Sequence, residues 1–366
     1  MLMILFRMFL KEFFPPFVFV FLGLNGMFLL GRLLPMVVPF LSSISGLADI
    51  FHFISLLLPT FWTFIIPMSV LFALLIVMFR LSRDNELVAL FSCGVSVRSI
   101  ALIFCVFSSV LTIVSLYLST SLVPMAKAAS KGFIAEMAEK VLAGGIPVRQ
   151  FFSPVNGIVI YTHAETDKGT HMEGVFLQDA RRPDAKVQIM AKSGEILAGK
   201  GSAAISLHDG VLIRASDELT QTDVLAFEKY TMKLQLGSDS TQVSRGDLPF
   251  GELWRMASNP QQSQRRPVLL TELHKRLALP FSVFALGLLA LPLGVSFGRA
   301  GFSSVLSMGL LAFLLYYAAM VVMSNLADSG AAPAFLLVWS PNVVVTALAG
   351  YLIYRLQKNG PLGLLK

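Results

Sequence analysis

Six apolar runs, each near or above the roughly 20 residues a helix needs to cross a bilayer, restrict what this chain can become. They fall at about 13–40, 53–79 and 100–122, then at 277–297, 305–326 and 335–353, in two triplets with a loose three-domain-three symmetry. Between the triplets lies a polar stretch from about Met125 to Pro267 that holds most of the charge, including Lys127, Glu136, Arg181, Arg182, Asp223, Lys229 and Arg266. Hydrocarbon cannot accept such a segment, so it must form a water-exposed domain on one side of the membrane. With 55% hydrophobic and only 14% charged residues, the chain lies outside the soluble range.

The net charge of +7 belongs to loops beside the membrane and anionic lipid rather than to nucleic acid. With six crossings, Arg7, Lys11, Arg80, Arg83, Arg98, Arg299, Arg355, Lys358 and Lys366 share one face, and the opposite short loops hold Asp49 and Asp328. The positive-inside rule then predicts both termini in the cytoplasm and the polar middle outside. Trp62, Tyr117, Trp339, Tyr351 and Tyr354 read as interfacial aromatics near span ends. Cys93 and Cys105 fall in or beside spans on the cytoplasmic side and make no disulfide case, and the start of the chain lacks a signal-peptide cleavage pattern.

Inside the polar middle the hydrophobic period changes to two. Met232, Leu234 and Leu236 alternate with Lys233 and Gln235; Val187 and Ile189 alternate with Gln188 and Met190; Val211 and Ile213 alternate with Leu212 and Arg214. These predict half-buried strands, as do 158–161, 174–178 and 203–207, with turns at Arg182-Pro183-Asp184 and His208-Asp209-Gly210. Several short strands so spaced favour a sandwich, jelly roll or open barrel. The stretch 126–142 is more helical and extends the third span outward.

Motifs for catalysis fail on context. Gly194-Glu-Ile-Leu-Ala-Gly199-Lys200-Gly201 has P-loop spacing, but Gly201 stands where Ser or Thr should hold magnesium, so it reads as a strand–turn–strand connection. His52, His163, His171, His208 and His274 lack metal-ligand spacing, and no G-x-S-x-G occurs. The chain is expected to hold no metal or cofactor and to be no enzyme.

Three features stand out. Arg32 follows about nineteen largely apolar residues and precedes Leu33-Leu34-Pro35, so it either faces a protein-lined cavity or snorkels to headgroups. Arg265, Arg266, His274, Lys275 and Arg276 put cations before the fourth span, as a rim for a phosphorylated lipid headgroup or as a solvated linker. The connection between the second and third spans, about 83–94, predicts a short helix with Asp84 as cap, Leu87, Leu90 and Phe91 as its apolar face, and Gly94 as its stop.

At that connection, Asn85-Glu86-Leu87-Val88-Ala89-Leu90-Phe91-Ser92-Cys93-Gly94 resembles the coupling helix of the lipopolysaccharide export permeases LptF and LptG, the YjgP/YjgQ family. The resemblance runs through three spans, an external insert with Gly-Val-Phe-Leu at 174–177, and Glu272-Leu-His-Lys-Arg276 leading into a Pro-containing fourth span; Ser92-Cys93-Gly94 fits the F-type branch better. It implies a polytopic α-helical membrane protein with six transmembrane helices and an inserted periplasmic β-jelly-roll domain, divided at 1–124, 125–270 and 271–366. It further implies a half-transporter in the inner membrane of a Gram-negative bacterium, paired with a sister permease on a cytoplasmic ATPase dimer. A periplasmic bridge protein and a single-span accessory subunit would complete the path for lipopolysaccharide. In that scheme Glu86 engages the ATPase together with Leu87, Leu90 and Phe91. Arg32, Lys275 and Arg276 meet lipid phosphates, and Met232, Leu234 and Leu236 line an acyl-chain groove. A family member of this kind carries a basic residue near the external end of the fifth span, where this chain has Ser324-Asn325-Leu326-Ala327, and the resemblance does not extend to that headgroup contact. A secondary transporter and a membrane-anchored periplasmic lipid-binding scaffold are the rival classes. The first lacks charges buried in several spans, and the second leaves the cytoplasmic helix unexplained.

If Arg32 acts through its charge, Arg32→Lys should preserve much of lipid export, Arg32→Ala should lose it and Arg32→Glu should be worst. Equal export by the wild type and the Glu variant in reconstituted vesicles would leave only snorkelling.

Overall fold

The computed structural model describes residues 2–37, 47–143, 148–155, 157–166, 171–180, 185–199, 202–216, 222–235, 245–259, 265–297 and 301–359. Helices α1 (Leu2–Val37), α2 (Leu47–Arg83), α3 (Glu86–Ser92) and α4 (Val97–Tyr117) come first; a π turn (Leu118–Leu122) then leads into α5 (Val123–Ala143). Six strands follow: β1 (Phe152–Val155), β2 (Ile158–Thr166), β3 (His171–Asp179), β4 (Ala185–Gly199), β5 (Ser202–Ser216) and β6 (Thr222–Gln235). The chain closes with α6 (Phe250–Ser258), α7 (Arg266–Phe297), α8 (Phe302–Asp328) and α9 (Ala334–Asn359). Six helical stretches are long and apolar enough to cross a membrane: Met3–Gly31, Ala48–Arg83, Val97–Ile134, Arg266–Phe297, Phe302–Asp328 and Ala334–Lys358. A polytopic α-helical membrane protein with an inserted β domain is therefore what the chain forms. It separates into two compact units, one of Met1–Phe28, Leu57–Lys127 and Ser244–Lys366, the other of Leu29–Leu56 and Ala128–Val243.

In the helical unit, α7 and the C-terminal half of α2 form the centre, with Leu71, Leu74, Leu75, Met78, Leu286 and Ala290 almost fully buried. Lipid tails are as apolar as leucine, so helices associate through close packing, and small residues permit it. A Cβ added at Gly294 would lie 2.4 Å from Met78 Cβ, and one at Gly287 would lie 2.1 Å from Ser108 Oγ. At Gly309 it would meet Leu75 Cδ1 at 2.4 Å. These contacts seat α7 against α2 and α4, and α8 against α2.

Prolines inside the spans create a second requirement. Each lacks an N–H and so frees the carbonyl four residues earlier, which has no water to turn to. Pro280 frees the Arg276 carbonyl, and Ser119 Oγ on the π turn donates to it at 2.9 Å. Pro67 frees the Thr63 carbonyl, which takes a long bond of 3.4 Å from the Tyr317 hydroxyl. Pro341 frees that of Leu337, which accepts from Ser340 Oγ at 2.8 Å. Buried amides add to this: Asn342 accepts from Tyr316 at 2.9 Å and donates to the Ala278 carbonyl at 2.8 Å. Trp62, on α2, donates to Asn25 Oδ1 at 3.0 Å.

In the other unit the six strands pair antiparallel in sequence order, β1 through β6. Among the described residues the jelly-roll expectation is thus realised as a meander without Greek-key crossovers. The sheet carries a transverse crease. Thr162 pairs with Val175 and Ala164 with Glu173; Val175 pairs with Ala191 and Glu173 with Ser193. Ala191 pairs with Gly210 and Ser193 with His208; Gly210 pairs with Phe227 and His208 with Lys229. His163, Gly174, Lys192, Asp209 and Glu228 are left in one unpaired row across β2 to β6. At this row buried positions step by three instead of two, from Met172 to Val175 and from Ala191 to Gly194. The added residue per strand keeps the apolar sides of both halves on one core, which includes Ile160, Leu177, Ile189, Ile205 and Leu207.

Two expectations change here. His208-Asp209-Gly210 is no turn: β5 runs through it, with Asp209 at φ 51° and Gly210 at the crease, where a Cβ would lie 2.5 Å from the Met190 carbonyl oxygen. Past the crease, Leu212 rather than Val211 or Ile213 is the buried member of β5. Gly194–Gly199 lies within β4, whose Gly199 pairs with Ser202 of β5, so the P-loop-like spacing sits in a hairpin; Lys200 and Gly201 lie outside the described residues, as do Arg182-Pro183-Asp184.

Gly294→Ala should cost about 1–3 kcal/mol through overpacking against Met78, whereas Gly350→Ala, with nothing within 4 Å, should be neutral or slightly stabilising. Thermal unfolding of both variants in one detergent checks the contrast.

Candidate functional site

Two polar constructions in the helical unit organise what the chain can do. The first is the connection around α3. Arg80, at the end of α2, donates to Glu12 of α1 and lies 4.0 Å from Glu86 at the start of α3. Arg83 donates to Asp84 at 3.1 Å and lies over the Phe79 ring. Asp84 is therefore not the cap: the N-cap is Asn85, in left-handed conformation at φ 56° and without a side-chain capping bond. The helix ends as expected. Gly94, at φ 81°, donates to the Phe91 carbonyl, and Val95 donates to that of Leu90, both at 3.0 Å, the paired bonds of a Schellman stop.

Packing sorts the predicted docking face. Leu87 is only 4% exposed and belongs to the chain's own core, so it anchors α3 and is not open to a partner. Leu90 and Phe91 pack partly against the same core. The open face consists of Val88, Ala89, Ser92 and Cys93, with the Glu86 side chain 45% exposed beside it. Both cysteines are free thiols.

The second construction sits at the start of α7. Arg276 has a side chain only 6% exposed, yet each of its nitrogens has an acceptor. Nη1 donates to the Leu248 carbonyl at 2.6 Å, Nη2 to the Arg245 carbonyl at 2.9 Å, and Nε to Glu272 at 3.2 Å. Arg245 in turn reaches both oxygens of Asp328, at the end of α8, at 2.8 and 2.9 Å. That hydrogen bond, ahead of the cost of burial, holds the Arg245 guanidinium above its already high pKa. The segment entering α6 is thereby fastened to α7 and α8. Arg276 is a structural clamp, with one bond from each of its three nitrogens to the chain itself. Arg245 and Asp328 were not legible as a pair: charge alone does not show that residues 83 positions apart meet.

The remaining predicted residues are more scattered. Lys275 is half-buried on α7. Arg32 lies on α1, with its side chain outside the described part of the structure. Met232 is 8% exposed in the sheet core opposite Ile205. Leu234 stands opposite Ala203, and Leu236 is outside the described residues. Among the described residues no group of His, Cys, Asp and Glu is arranged to hold a metal ion.

Six apolar helices, a short interrupting helix between the second and third, and a β domain inserted between two triplets define a polytopic membrane protein. The chain belongs to the lipopolysaccharide export system permease LptF/LptG family, whose model matches residues 7–355. It is 24% identical over 299 residues to the lipopolysaccharide export system permease protein LptF of Escherichia coli K12, covering 78% of this chain and 76% of that one. The LptF protein of Shigella flexneri matches with the same figures. An uncharacterized protein of Rickettsia prowazekii, RP871, is 23% identical over 297 residues, 79% of this chain and 81% of its own length.

Removing the Arg276 clamp leaves buried partners unpaired, at a cost of about 3–5 kcal/mol. Arg276→Met should expose residues 245–259 to proteolysis at least tenfold faster. Arg276→Lys should not rescue it, because an ammonium cannot reproduce the three-way fork. A Lys variant as resistant as the wild type would instead favour a simple charge role.

Proposed function

We propose that this chain is the membrane-spanning, non-hydrolysing subunit of an ABC transporter. It extracts lipopolysaccharide from the inner membrane of a Gram-negative bacterium and passes it to a periplasmic bridge toward the outer membrane. The observation that carries this reading is α3: a seven-residue helix, anchored through Leu87 and closed by Gly94, that presents an open face and one carboxylate between two spans. Val88, Ala89, Ser92 and Cys93 are turned away from the core that Leu87 joins. The fit of α3 is to a groove on a cytoplasmic ATPase subunit, and a dimer of that subunit would serve this chain and a sister permease together.

The rest of the reading follows from the same division of labour, with 1–124 and 271–366 as the transmembrane regions, about 83–94 as the coupling element and 125–270 as the periplasmic domain. Both termini lie in the cytoplasm by the distribution of short-loop cations. ATP-driven movement of α3 is passed into α2 and α4, which it joins, and narrows a cavity shared with the sister permease. Arg32 holds a lipid phosphate there, and the single-span accessory subunit borders it. Acyl chains then enter the β domain along the side that carries Met232 and Leu234, and strand β6, at the end of the described sheet, offers its edge to the bridge protein.

Glu86 separates coupling from helix geometry. As a first-turn carboxylate it adds only about 0.3–1 kcal/mol, whereas a desolvated contact with a partner cation is worth about 2–5 kcal/mol when broken. Glu86→Lys should leave insertion intact but weaken ATPase association or reduce lipid released per ATP hydrolysed by tenfold or more. Wild-type release and turnover in vesicles would reduce Glu86 to a helix-start residue.

A further inference from the structure

Between α7 and α9 lies an open cleft of about 470 Å³, lined by Phe281, Phe284, Trp339, Asn342, Val343 and Thr346. Its size falls in the lower half of the range that holds one small ligand. Rings lead out of it toward the start of α7: Phe281 lies 5.1 Å from Trp339, Trp339 6.4 Å from Phe335, and Phe335 5.8 Å from His274, centroid to centroid. The indole nitrogen of Trp339 has no hydrogen-bond partner among the described residues. Asn342, by contrast, is committed to Tyr316 and the Ala278 carbonyl.

Helical spacing continues this line upward. Arg266, Leu270, His274, Leu277, Phe281 and Phe284 recur at intervals of three or four residues and share one stripe of α7. From Arg266 to Phe281 is fifteen residues, about 22 Å of helix, a length that one extended glycerophospholipid can follow along the stripe. Arg265 and Arg266 are both exposed at the top, and the first turn of α7 contains no acidic residue. Among the described residues, Glu272 is taken by Arg276 and Asp328 by Arg245. Two guanidiniums at the positive end of a helix are unfavourable alone and well placed for an anion.

We propose that this seam is a binding site for one anionic glycerophospholipid, its phosphate at Arg265 and Arg266 and one acyl chain in the aromatic cleft. The lipid is a resident component and not the transported cargo: the cleft has room for a single chain. The site depends only on the spans lying in a bilayer, and stands whether or not the coupling role of α3 holds.

Trp339 reports on the site directly. The full chain is reconstituted in phosphatidylcholine vesicles, and its quenching by acyl-brominated phosphatidylglycerol is compared with quenching by brominated phosphatidylcholine. The signal of the Trp339→Phe variant is subtracted to remove the other two of the three tryptophans. Half-maximal quenching should occur at a mole fraction at least fivefold lower for the anionic lipid. The preference should vanish in the Arg265→Gln/Arg266→Gln variant, and Ala347→Phe, at a further residue of the cleft wall, should weaken quenching by both lipids. Coincident curves for the two lipids, or a preference that survives loss of both arginines, would overturn the proposal. Relief of quenching by stoichiometric lipopolysaccharide against excess phosphatidylglycerol would assign the seam to cargo and overturn it equally.

Discussion

A carbonyl without a donor is the expensive object inside a membrane, and at Pro67, Pro280 and Pro341 the helical unit supplies donors to the carbonyls that its own prolines release. Pro280 matters most, because α7 is the helix around which the others pack. The donor it requires is Ser119, which sits on a π turn in the helix formed by α4 and α5. A regular α-helix fixes where each side chain points; a π turn shifts that phase locally. The widened turn and the proline are thus two halves of one contact, and the close approaches at Gly287 and Gly294 bring them within reach.

How much of this the sequence discloses depends on whether the signal is additive along the chain. Span existence is, since hydropathy accumulates over twenty residues, and among the described residues six helices answer to the six runs. Strand identity is also local, and the alternation around Ile189 and Met232 marks real strands. The crease was hidden for a definite reason. His208-Asp209-Gly210 has the composition of a turn, and only pairing with β4 and β6 shows that glycine is there to clear the Met190 carbonyl and Phe227. Parity then reverses within one strand, so a pattern read from Val211 and Ile213 picks the wrong side of Leu212.

Charges were the least legible. Arg265, Arg266, His274, Lys275 and Arg276 form one basic cluster on paper, but the fold divides it. Arg276 turns inward to carbonyls 28 and 31 positions earlier in the chain, while Arg265 and Arg266 stay exposed at the helix start. A cation's role follows from the acceptors available to it, and those come from a segment whose path the local sequence does not specify. The same holds for α3, where the apolar residues are plain in the sequence but Leu87 is consumed inward and Val88 is left outside.

The crease also governs how this domain can vary. Because β2 to β6 each contribute one unpaired residue to the same row, lengthening or shortening any one strand on a single side would throw it out of step with both neighbours. Strand length is therefore a collective property of the sheet, shared by five segments distant in sequence. Divergence is pushed into the connections between strands, so the domain tolerates changes in loop length far more readily than a one-residue change within a strand.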